Sequence, residues 1–187
     1  MPDDGEVAGL LAMMLLIEAR RPARVSVSGE LVTIDEQDRG AWNRELIAEG
    51  HALVRERLDT GAAPGRYQIL AAINAVHTSA RDIRDTDWSQ VLALYDQLIQ
   101  LDPSPTIALN RAIAIAEVDG PQLALATVDR LEADLNGYHS FHATRADLLR
   151  RLARSREARE SYDRAIEHSG NIAETANLIR RRDQLAG

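Results

Sequence analysis

The segment Val91-Leu-Ala-Leu-Tyr95-Asp-Gln-Leu98 returns as Ala124-Leu-Ala-Thr-Val128-Asp-Arg-Leu131 and again as Ala158-Arg-Glu-Ser-Tyr162-Asp-Arg-Ala165, at offsets of 33 and then 34 residues. A second series keeps step with it, since Ala112 precedes Ala124 by the same twelve residues that separate Ala146 from Ala158. A period of this length accommodates one pair of antiparallel helices, and a pair that cannot bury its apolar stripe alone must stack on its neighbours. Small residues recurring in register mark where helix axes touch. The aromatic or branched residue four positions later fills the adjoining layer.

The spacing therefore predicts an all-α chain built as a solenoid of tetratricopeptide-like helical hairpins. The first hairpin is expected from about 67 to 81 and 88 to 101, closed by Asp102-Pro-Ser-Pro105. The second runs from about 106 to 118 and 122 to 133, broken at Asp119-Gly-Pro121. The third covers about 139 to 152 and 155 to 168, and a polar helix over 171–185 caps the last open face. Ahead of the hairpins, residues 1–63 read as a helical segment packed on the repeats of 64–187. Val7–Ala19 is apolar on nearly all sides and reads as a buried helix stopped at Pro22. Alternation over Arg24–Ile34 reads as a short β-hairpin about Ser28-Gly29 or an extended excursion. Asp35, Asp38 and Gly40 announce a helix from about 41 to 58. The segment Thr60–Gly65 is a connector.

Composition removes several chemistries. The 187 residues suffice to bury roughly 70% of the unfolded surface without staples. With no cysteine there are no disulfides, thiolate nucleophiles or cysteine metal sites. All 22 basic residues are arginine, which excludes Schiff-base catalysis and a Walker-type phosphate loop. The net charge of −7 argues against binding a phosphate backbone. From Phe141 onward ten arginines face seven carboxylates, so the C-terminal part is mildly basic and the remainder acidic. Leu10–Ile17 is too short an apolar run to span a bilayer, and no basic stretch precedes it. A cytoplasmic chain without membrane contact is expected.

Candidate chemistry is sparse. Neither a nucleophile elbow nor a His-Glu-x-x-His pair occurs. His139 and His142 lie three apart on one helical face but lack a third ligand; the reading preferred is that they orient the Gly137-Tyr138 turn. Arg111 and Arg145 occupy equivalent slots, 34 apart, where a packed guanidinium requires a partner; Asp129 and Asp163 are the natural ones. Asp35, Asp38 and Arg39 precede Trp42, a cluster read as helix capping beside a core tryptophan. No cofactor, metal or catalytic residue is expected.

Leu10-Leu-Ala-Met-Met-Leu15, Ala19-Arg-Arg-Pro-Ala-Arg24, Asp35-x-Gln-Asp-Arg39 with Trp42, and Ile47-Ala-Glu-Gly50 form a combination that continues along the chain. It takes in Tyr67-Gln68, Ala71–Ile73, Val76-His77, Thr86–Trp88, Pro103–Pro105, Leu109–Ala112, Gly137-Tyr138 and His142–Ala146. The combination resembles the C-terminal tetratricopeptide-like extension of a subgroup of extracytoplasmic-function sigma factors, in the sigma-70 family. The resemblance implies a part in bacterial transcription initiation, through contact with the sigma factor's DNA-binding domains, absent here, or with RNA polymerase core. It implies no enzymatic activity and no direct nucleic-acid contact from this fragment. The contacts it favours are Asp35, Asp38, Arg39, Trp42, Asn74, His77, Asn110, Arg111, His142 and Arg145. A stand-alone scaffold binding an unrelated protein or peptide is the alternative.

Overall fold

The structure is a computed structural model and describes residues 5–26, 29, 31–59 and 61–186, apart from the side chain of residue 186. The described residues are all-α, with ten α-helices joined by short turns and no strand. Two compact units divide the chain, one of 1–25 with 32–103 and one of 26–31 with 104–187.

In the first unit, α1 (Gly5–Glu18), α2 (Arg44–Asp59) and α3 (Arg66–Ser79) pack on one another, and α3 forms a hairpin with α4 (Trp88–Leu101). The contact between α1 and α3 is close because Gly9 has no side chain: a Cβ built there would lie 2.6 Å from the backbone nitrogen of Gln68. The two helices are also joined at their ends. Gly65 has no side chain with which to cap α3, and Glu6 of α1 does so instead, its carboxylate accepting from the backbone N–H groups of Tyr67 and Gln68 at 3.1 and 3.3 Å. Residue 63 therefore lies inside a unit rather than at its edge, because the first hairpin packs against the helices that precede it.

Helix α1 departs from the fully buried helix its composition suggests. Ala12 and Leu16 are buried, yet Val7, Leu11 and Met14 are 61%, 46% and 57% exposed. Spaced four and three residues apart, they form a stripe down its outer side. The chain leaves α1 through a 3₁₀ turn, Arg21–Ala23, that contains Pro22. Between it and α2 lies the extended excursion: Val32 N–H donates to the Arg24 carbonyl at 2.9 Å, but no strand forms among the described residues. Ser28, at the tip of the expected hairpin, lies outside them. Helix α2 begins three residues later than expected, because Asp38 caps a separate 3₁₀ turn over Arg39–Ala41. Asn43 then caps α2 itself, its side-chain oxygen accepting from Glu45 and Leu46 N–H at 3.0 and 3.1 Å.

The second unit is built from the expected hairpins. Helices α5 (Pro105–Val118) and α6 (Pro121–Asp129) form one, followed by the single turn α7 (Glu132–Leu135). Helices α8 (His139–Arg151) and α9 (Ser155–Glu167) form the next, and α10 (Ile172–Asp183) packs on α9. Gly120, at φ 96°, makes the turn into α6, where Pro121 supplies the fixed φ of a first helical residue. Ala112, Ala124, Ala146 and Ala158 are each 0% exposed, as their register requires. Ala146 packs with Tyr162, Ala165 and Leu178, so one layer spans the last hairpin and its capping helix.

Candidate interaction sites

In the second unit the arginines follow the repeat. Arg145 on α8 donates through Nε to Asp129 of α6 at 2.8 Å and through Nη1 to Ser161 of α9 at 2.8 Å. The expected Asp129 pairing is made between hairpins. Asp163, the other expected acceptor, is taken at 2.9 Å by Arg182 of the capping helix. A second series connects first helices 34 residues apart: Arg151 with Glu117 at 2.6 Å and Arg181 with Asp147 at 3.5 Å. Each ties one repeat to the next, while the partly exposed carboxylates keep the desolvation cost small. Arg111 is half-buried and also engaged within the protein, and Asn110 is exposed on α5.

His139 and His142 turn to different partners. His142 donates from Nε2 to the Asn136 carbonyl at 2.6 Å and stacks on His168 with ring centroids 5.4 Å apart. Burial, reinforced by nearby Arg164, His168 and Arg145, holds its pKa below the ordinary histidine value. His139 instead lies 3.3 Å from Glu174 of α10. His142 thus anchors the turn at Asn136, whereas His139 is directed toward α10. No cluster of three metal-ligating side chains occurs among the described residues.

In the first unit three of the expected residues, Arg39, Trp42 and His77, meet. Arg39 reaches across to the end of α3, where the carbonyls of His77 and Ala80 accept from its Nη1 at 2.7 and 2.9 Å. Its guanidinium also lies 4.6 Å from the ring centroid of Trp42, which is 5% exposed. Asn74 donates to the Leu70 carbonyl and accepts from Arg20 at 3.5 Å. His77 packs edge-on against Trp88 at 5.2 Å. Burial and the charges of Arg20 and Arg39 push the His77 imidazole down to about 4. These side chains chiefly join the excursion to α3. Asp38 caps the 3₁₀ turn, and Asp35 is exposed and engaged within the protein.

Beside Arg39 the first unit opens into a cavity of about 700 Å³ whose walls the sequence reading did not bring together. Arg44 and Arg55 of α2, Arg81 beyond α3, and Arg39 all line it, with no aspartate or glutamate among the lining residues. His51 sits between the two α2 arginines. Thr78 donates to α3 carbonyls and so accepts from His51 Nε2–H at 2.8 Å. The His51 pKa is lowered by burial and by Arg55. The signal was present in the sequence: Arg44, Ile47, Ala48, His51 and Arg55 follow one helical face. A smaller apolar cavity of about 250 Å³, walled by Ala12, Leu53, Leu58, Ile69 and Leu94, lies elsewhere in the same unit.

Residues 1–58 match a family described only as of unknown function (DUF6596). Over 185 residues the chain is 40% identical to Uncharacterized protein R00370 of Rhizobium meliloti (strain 1021). That match takes in 99% of this chain and 44% of the relative, so the chain spans less than half of the relative's length. No solved structure matches the chain. Among the described residues, no helix is long and apolar enough to cross a membrane.

Proposed function

We propose that this chain is the protein-interaction and regulatory C-terminal domain of an extracytoplasmic-function sigma factor. It contributes to transcription initiation in the bacterial cytoplasm by contacting the sigma factor's DNA-binding domains or RNA polymerase core. The observation that carries this reading is the exposed apolar stripe of Val7, Leu11 and Met14 on α1. Three large apolar side chains in register gain stability from a cover, and Leu11 and Met14 fall within the strings that carry the resemblance. The additional length of the Rhizobium meliloti relative is consistent with a larger protein in which this region is one part. Helical hairpins whose titratable side chains are spent on holding repeats together suit recognition better than catalysis.

The test is reporter transcription from a promoter dependent on the full-length protein, comparing the intact chain with one lacking this region and with Leu11→Asp/Met14→Asp. Both changes are expected to abolish promoter activity, and the paired substitution should also abolish capture of the sigma domains or polymerase by the fragment. Full activity without the region would refute the reading.

A further inference from the structure

Resting on that reading, we infer that the arginine-lined cavity of the first unit is a docking site for carboxylate side chains of an acidic partner segment. Arg39, Arg44, Arg55 and Arg81 line about 700 Å³ in a chain of net charge −7, and no aspartate or glutamate is among the described residues that line it. Arg44, Arg55 and Arg81 are exposed and form no ion pair among the described residues, unlike Arg145, Arg151 and Arg182 of the second unit. Concentrating unneutralised positive charge in one place is unfavourable unless an anion shares it.

The chemistry of the walls selects the occupant. Guanidinium groups present planar forks that match carboxylates and hold them bidentately. Ile47, Ala48 and Trp42 supply apolar wall for the methylene carbons of acidic side chains. A compact phosphate site would instead draw on free backbone N–H groups at a helix N-terminus. Here Asn43 already occupies the Glu45 and Leu46 N–H groups of α2, while α3 turns its C-terminal carbonyl end toward the cavity through Thr78, Ser79 and Ala80. That end disfavours a dianion held at one point and is tolerated by single charges distributed among separate arginines. Asp82 and Asp85 temper the charge of Arg39, so the outer arginines Arg44, Arg55 and Arg81 carry the recognition.

The experiment is a fluorescence-anisotropy titration of a labelled octaglutamate peptide with the whole chain. Saturable binding is expected, weakening as salt rises from about 50 to about 200 mM. The triple variant Arg44→Gln/Arg55→Gln/Arg81→Gln should bind about tenfold more weakly or worse. Arg156→Gln/Arg159→Gln, on the exposed side of α9, should remain within about twofold of the parent. Circular dichroism checks that each variant is folded, which is expected because all five positions are exposed. Octaglutamine should not bind. The inference is overturned if octaglutamate fails to bind, if the α9 variant loses as much as the triple variant, or if inorganic phosphate displaces the peptide at equal concentration. A thymidine oligonucleotide that binds more tightly than the peptide and is lost in the triple variant overturns it in favour of nucleic acid. Capture of sigma domains or polymerase by a chain that ignores octaglutamate removes this inference alone and leaves the proposed function standing.

Discussion

Replacing Gly9 by alanine tests how closely α1 and α3 approach. The added Cβ would meet the Gln68 nitrogen at 2.6 Å, with the Gln68 Cα and the Tyr67 carbonyl carbon at 2.8 Å, all of them main-chain atoms that cannot rotate away. Ordinary contact begins near 3.4 Å, so the helices must part by nearly an ångström and loosen the layer around Ala12 and Ile69. Overpacking of this kind costs about 1–3 kcal/mol, and the upper half applies where backbone is struck. Alanine returns about 1 kcal/mol through helix propensity. The expected net loss is about 1–2 kcal/mol, a fall in midpoint of about 3–6 °C in a chain of this length. Trp42 and Trp88, the chain's two tryptophans, both lie in the first unit, so thermal melts followed by tryptophan fluorescence read the relevant packing. Two further glycines calibrate the measurement. At Gly50 the Cβ would meet the Leu16 side chain at 2.7 Å, and partial adjustment should leave Gly50→Ala between Gly9→Ala and the parent. At Gly137 nothing lies within 4 Å, so Gly137→Ala should match the parent or exceed it by less than about 1 kcal/mol. If Gly9→Ala melts at or above the parent's temperature, helix propensity has won and the close approach is refuted.

Acid should weaken the first unit through His77. Its folded pKa of about 4 lies below the unfolded value of 6.5, so between those values the unfolded chain binds a proton that the native chain does not. Stability is therefore lost as pH falls through this window, by up to about 3 kcal/mol at pH 4, and His77→Gln should flatten that part of a urea-midpoint profile. For the ladder of the second unit, a double-mutant cycle on Arg145 and Asp129 should give a coupling of about 0.3–1 kcal/mol that shrinks in high salt; a coupling of zero would remove the pair as a link between hairpins. Ala153 holds φ at 57° in the turn between α8 and α9, and Ala153→Gly should raise stability by about 0.5–1 kcal/mol in equilibrium denaturation.

Much of the second unit was legible beforehand because repetition encodes it. The four register alanines are buried where the period places them, and in the first unit α4 spans the expected 88–101 and ends at Asp102-Pro103. Boundaries failed where a side chain capped something unforeseen, as when Asp38 served a 3₁₀ turn and Asn43 the helix proper. The candidate contacts were less legible. Arg39, His77 and Arg145 do stand at junctions, but they are largely engaged in the protein's own joints. The arginines that remain outward, Arg44, Arg55 and Arg81, carried no repeat signal.

The linear pattern by itself determined helicity, the turns and the layers that touch, because a 34-residue period and helical spacing of apolar residues depend only on neighbours in sequence or in register. Three-dimensional packing alone decided which helix lies against Gly9, that Glu6 caps α3 from another helix, and that arginines from α2, from the excursion and from beyond α3 share one cavity. These depend on groups up to about sixty residues apart along the chain. No periodicity connects them, and only the energy of the folded contact brings them together.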